Sequence, residues 1–112
     1  MADLAAVDIE ATLEHGVVLY KVIAPSGALF GESVDTGVGV GELQAWPAVP
    51  PHWLHFPTSV QFAATNADQA EVLPGWQRHS RDIGPWDMSR PPIQSWLAHV
   101  RGVIASAIAR AA

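Results

Sequence analysis

Apolar positions along this chain fall into two regimes. Between Val17 and Phe56 they come in short runs rich in β-branched and aromatic residues, and between Ile93 and Ile108 they recur at helical spacing. Val17 to Ala24 (Val-Val-Leu-Tyr-Lys-Val-Ile-Ala), closed by Pro25-Ser26-Gly27, predicts a strand entering a turn. Val38 to Ala45 predicts a second strand, its glycines suited to a bulge or a close backbone approach. His52 to Phe56, pinned between Pro50-Pro51 and Pro57, predicts a short third one. Residues 3 to 14 carry a weak amphipathic pattern that predicts a short helix stopped by Gly16.

Periodicity fades from Thr58 to Pro92, where Gly, Pro, Asn, Asp and Ser recur every few residues. That segment reads as a long loop, packed down by Trp76, Trp86 and Trp96 in or beside it. After Pro91-Pro92 the residues Ile93, Trp96, Leu97, Val100, Val103, Ile104, Ala107 and Ile108 form the stripe of one long helix. The pattern therefore predicts an α+β domain spanning 1 to 112. It is an antiparallel β-meander covered by a long C-terminal helix, with a long ordered loop between sheet and helix.

Composition narrows the function classes. With 49% hydrophobic and 15% charged residues among 112, the chain has enough apolar surface to fold as one domain. It has no cysteine, which excludes a thiol nucleophile, a Cys-ligated zinc site and a disulfide scaffold. The opening Met-Ala-Asp-Leu-Ala-Ala lacks a basic region and a long apolar run, so it is not read as a signal peptide. No stretch is apolar enough to cross a bilayer, and the default location is cytoplasmic, without a membrane partner.

Net charge is −5, which argues against nucleic acid. The charge is also polarised. Residues 1 to 74 hold nine carboxylates against Lys21 alone, and residues 75 to 112 hold five arginines against Asp82 and Asp87. Either the halves pair across the fold, or they present a face that orients a partner by charge. Two constellations are set aside. His52 and His55 lie three apart on a strand and face opposite sides, so they do not suggest a metal pair. Gly37-Val38-Gly39-Val40-Gly41 lacks the lysine and helix of a phosphate loop. Neither a metal nor a cofactor is expected.

Two motifs carry a resemblance. Trp46-Pro47-Ala48-Val49-Pro50-Pro51, between the second and third strands, is similar to the Tyr-Pro-x-x-Pro-Pro motif of the ubiquitin-conjugating (UBC) fold. Gly75-Trp76-Gln77-Arg78-His79-Ser80-Arg81-Asp82-Ile83, then Pro85-Trp86 and the helix, resembles the bacterial branch of UBC-like proteins with a Trp-Gln-Arg-x-Ser-Arg signature. The resemblance covers roughly residues 16 to 108. It implies a UBC-like fold, an acyl transferase activity and three kinds of partner: a ubiquitin-like protein, a ubiquitin-activating-like enzyme and target proteins.

The chain departs from that family in lacking both the cysteine nucleophile and a His-Pro-Asn motif. Asn66, its single asparagine, is the candidate for the oxyanion-stabilising role. Aligning Ser80-Arg81-Asp82-Ile83 with the family's Cys-Leu-Asp pattern puts Ser80 at the nucleophile position. A serine there would accept the acyl group as an oxyester, provided a base takes its proton. The resemblance offers His79, Asp82 and Asp87 as bases, Arg78 and Arg81 for the oxyanion, and Trp76 and Trp86 for partner contact. His79, as Ser80's neighbour on extended backbone, points to the other face. Ser80 as a turn cap, in a non-catalytic module that only positions a ubiquitin-like protein, is the alternative. A small metabolic enzyme or ligand-binding protein of another fold is the third.

Overall fold

The computed structural model describes residues 2–63 and 66–110. A four-residue helix α1 (Ala2–Ala5) leads into β1 (Thr12–Glu14), β2 (Val17–Ile23) and β3 (Ser33–Gly39), which runs into a 3-10 turn at Val40–Leu43. Then follow β4 (Trp53–Pro57), β5 (Val60–Phe62), β6 (Ala67–Asp68), β7 (Trp76–Ser80), helix α2 (Pro92–Ala105) and β8 (Ala107–Arg110). Six strands form one antiparallel sheet in the order β1-β2-β3-β4-β7-β6, and β5 pairs with β8 in a separate two-stranded ribbon. The expected α+β class, antiparallel sheet and C-terminal helix are all present. No helix among the described residues is long and apolar enough to cross a membrane.

Alternation along the strands sets the core. The register pairs Val18 with Val38, Tyr20 with Thr36 and Val22 with Val34, so these side chains share one face, and all are buried. Leu54 and Phe56 of β4 extend that buried layer. Helix α2 covers it with Ile93, Trp96, Leu97, Val100, Val103 and Ile104, which join the strand residues in one apolar cluster. Each such side chain contributes roughly 1.5–3 kcal/mol when removed from water. The Trp96 indole N–H donates to the buried Tyr20 hydroxyl at 2.9 Å, which fixes the helix on the sheet. Pro92 stands at the start of α2, where a missing N–H costs nothing.

Beyond shifts of one residue in β2 and β4, four boundaries differ from the expectation. The second strand is Ser33–Gly39 rather than 38–45, because the ladder with β2 ends at the Val17–Gly39 pair, beyond which only the Val40 N–H still bonds the Gly16 carbonyl at 2.8 Å. Past that point the chain coils into the 3-10 turn. The segment 58–92, expected as loop, contains β5, β6 and β7, and β7 is an interior strand between β4 and β6. The helix stops at Ala105 instead of Ile108. There the Ser106 hydroxyl donates to the Val103 carbonyl at 2.6 Å, and residues 107–110 pair with β5. The N-terminal helix is confined to Ala2–Ala5, and 12–14 form an edge strand.

Candidate functional site

Ser80 closes β7 and stands opposite Trp53 in the β4 register. The residue just before β4 is His52, which reaches across so that its Nε2 lies 2.7 Å from Ser80 Oγ. Both side chains are accessible to solvent. The His52 ring also meets Trp53 edge-on, with centroids 5.1 Å apart. A third group holds this corner. Glu42, in the 3-10 turn, accepts the backbone N–H of His52 at 3.0 Å and that of Trp53 at 3.2 Å, both on Oε1. It does so because β3 and β4 share only the Gly37–His55 register, so the amides at the start of β4 lack a strand on that side.

The pair between Ser80 and His52 is what general-base activation of a hydroxyl requires, a nucleophile and an imidazole within hydrogen-bond reach. Among the described residues no carboxylate bonds the other nitrogen of His52. Asn66 also comes close, since its backbone carbonyl accepts the Ser80 N–H at 2.8 Å.

The other residues singled out in the sequence take different places. His79 lies on the opposite face, fully buried between Phe56 and Phe62, and neither of its ring nitrogens has a hydrogen-bond partner. Burial first, and then the Arg81 charge, lower its pKa to about 4, so it stays neutral at physiological pH. It does not touch Ser80.

Arg78 shares the Ser80 face and stacks 4.0 Å above the Trp53 ring. Its Nε donates to Asp68 at 2.7 Å, with Glu71 at 3.6 Å. The hydrogen bond from Arg78 holds the Asp68 carboxyl below the usual range, and the same bond raises the arginine. Arg81 donates from its guanidinium to the Ser80 carbonyl at 2.9 Å and lies over Phe62, and burial lowers its pKa. Asp82 accepts the Gly84 N–H on Oδ1 at 2.8 Å. Asp87 is held below the ordinary range, chiefly by the Ser89 hydroxyl at 2.6 Å. Neither aspartate is bonded to Ser80.

Trp86 packs against Trp46 with centroids 5.8 Å apart, and its indole N–H donates to the Pro47 carbonyl at 2.8 Å. It ties the loop before α2 to the proline-rich segment before β4. Trp76 sits at the far end of β7 from Ser80, opposite Pro57. The charge polarity seen in the sequence is partly internal, because Arg78 pairs with Asp68 and Glu71, and Arg110 with Glu32 at 3.0 Å.

His52 is the residue that sequence reasoning missed in this role. It lies 28 positions from Ser80, and only the pairing of β4 with β7, itself unforeseen, brings the two together. Among the described residues no group of three or more His, Asp or Glu is placed to hold a metal ion. No family model matches the chain, and neither does any curated protein or solved structure.

Proposed function

We propose that this chain is a UBC-like protein of a bacterial ubiquitin-like conjugation pathway, in which Ser80 receives the C-terminal acyl group of a ubiquitin-like protein. The observation that carries the reading is the 2.7 Å contact between Ser80 Oγ and His52 Nε2. His52 directly follows Trp46-Pro47-Ala48-Val49-Pro50-Pro51, the segment similar to the family's proline motif. The meander β2-β3-β4 under a covering helix is consistent with the same resemblance.

In this reaction Ser80 Oγ attacks the thioester carbonyl presented by the activating enzyme, and His52 Nε2 takes the hydroxyl proton. The thiolate leaves and is reprotonated, and an oxyester remains on Ser80. A target amine then attacks that ester and releases the serine hydroxyl. His52, not His79, is the base in this scheme, since His79 is buried on the other face.

A second reading is a non-catalytic module that binds and positions the ubiquitin-like protein. It is favoured by the commitments of the two arginines, Arg78 to Asp68 and Trp53, and Arg81 to the Ser80 carbonyl and Phe62. Incubation with the activating enzyme, ATP and the ubiquitin-like protein separates the two. The catalytic reading expects an adduct that resists thiols, is cleaved by strong hydroxylamine, is lost in Ser80→Ala and forms at least ~10-fold more slowly in His52→Ala. An adduct that survives Ser80→Ala overturns the assignment, and binding without any adduct establishes the module.

A further inference from the structure

The sheet face turned away from α2 carries a cleft of about 860 Å³, within the size range of ligand sites. Gly39, Glu42, Trp53, His55 and Arg78 line it, with His15 and the segment 71–74 around them. Trp53 is also the register partner of Ser80, so the cleft adjoins the Ser80–His52 pair.

The chemistry of the cleft is lopsided. Arg78 is its one arginine, and that charge is already met by Asp68 at 2.7 Å and Glu71 at 3.6 Å. Glu42 spends Oε1 on two backbone amides. Its other oxygen, Oε2, looks over the bare α-carbon of Gly39. A β-carbon built on Gly39 would lie 3.9 Å from Glu42 Oε2 and 3.9 Å from His55 Nε2, so carboxylate and imidazole flank one vacant spot.

His55 itself is only 3% exposed, and its Nδ1 has no hydrogen-bond partner. A buried nitrogen without a partner is costly, and its retention beside the cleft calls for an explanation. Burial, reinforced by Arg78, lowers its pKa, so it adds no positive charge to the cleft. In the lining Glu42 and Glu71 stand with Arg78 and the imidazole of His15, and Asp68 bonds Arg78 from outside it, so carboxylates outnumber the guanidinium and the cleft is complementary to a cation.

We propose that this cleft seats a basic side chain, arginine or lysine, of a polypeptide partner, with Glu42 Oε2 as the principal charge partner. The site goes beyond the Ser80 chemistry and stands without it.

Two substitutions test it without dismantling the corner. Glu42→Gln removes the charge but retains an amide oxygen for the His52 and Trp53 N–H groups. Gly39→Leu fills the vacant spot, at a residue whose φ of −69° any side chain adopts. The probes are acetyl-Gly-Arg-Gly-amide, its Lys analogue and its Gln analogue, titrated into the ¹⁵N-labelled protein and followed by NMR. The expected result is saturable shifts at Gly39, Gly41, Trp53 and His55 with the Arg or Lys peptide, at least ~10-fold weaker binding in Glu42→Gln, and none in Gly39→Leu.

Equal binding of the Gln peptide, unchanged affinity in Glu42→Gln, or no saturable shift at millimolar peptide overturns the proposal. Ser80→Ala is expected to bind as the parent does. A cleft that binds while Ser80 never acquires an acyl group therefore refutes only the catalytic reading, and the reverse outcome refutes only the cleft.

Discussion

Burying a histidine with both ring nitrogens unpaired makes the stability of this fold depend on acidity. His79 is 0% exposed, packed edge-on against Phe56 at 5.6 Å and Phe62 at 4.8 Å. Its pKa falls from 6.5 to about 4, through burial first and the Arg81 charge second. The unfolded chain takes up a proton as the pH drops through 6.5, and the folded chain does so only near 4. The stability that comes from keeping the imidazole neutral is complete above the upper value. It is lost progressively between the two values and changes no further below the lower one. At ~1.4 kcal/mol per pH unit, a window of about 2.5 units amounts to roughly 3 kcal/mol.

The substitution His79→Leu removes both nitrogens at nearly constant volume. Urea unfolding followed by tryptophan fluorescence, near pH 7 and near pH 4.5, measures how much stability each protein loses on acidification. The variant is expected to lose about 2.5 kcal/mol less than the parent across that interval. His55 and His99, also lowered by burial, are present in both proteins and cancel in the comparison. Parallel losses, within about 0.5 kcal/mol, would show that His79 is already protonated or hydrogen-bonded in the folded state and would refute the reasoning.

Three further substitutions report on other contacts. Gly27 has φ +84° and a methyl there would drive into the Ala105 carbonyl, so Gly27→Ala should cost more than about 2 kcal/mol and lower the melting temperature. Tyr20→Phe leaves the buried Trp96 indole N–H without its acceptor, with an expected loss of about 1–3 kcal/mol in urea titrations. Glu42→Ala frees two backbone N–H groups at the start of β4 and should cost about 1–2 kcal/mol, most of which Glu42→Gln restores.

What was legible in the sequence follows from which surfaces are covered. The helix over 92–105 shows its covered face at helical spacing, and the strand over 17–23 shows as a nearly continuous run of β-branched and aromatic residues. Their ends were less legible, because Ala107 and Ile108 fit the helical stripe equally well while pairing with β5 decides otherwise. The strand at 33–39 does alternate, with Val34, Thr36 and Val38 inward against Ser33 and Asp35, but polar outward residues and Gly37 mask it.

Strand β7 was hidden more thoroughly. Its residues Trp76, Arg78 and Ser80 lie on the uncovered face, and its inward His79 is a polar residue in an apolar position, so Trp-Gln-Arg-His-Ser reads as loop. Ser80 was found through its motif. Its partner was not, because a contact made across two strands leaves no local trace in the sequence. The prolines at 50 and 51 place the start of β4 to within one residue, yet nothing in the sequence marks Glu42 as the group that caps it.

The thin join between β3 and β4 divides the large sheet into two ribbons. Strands β2 and β3 pair along their whole length, as do β4 and β7, but the two ribbons share one register pair, backed by the Thr36 hydroxyl on the His55 carbonyl at 2.9 Å and by Glu42. Local opening begins where ladder bonds are fewest, so the amides along this seam should exchange hydrogen with solvent ahead of those within either ribbon. Gly39 and Glu42 ride on one ribbon, and Trp53, His55 and Arg78 on the other. The cleft therefore straddles the seam, and an occupant seated in it would touch both ribbons at once.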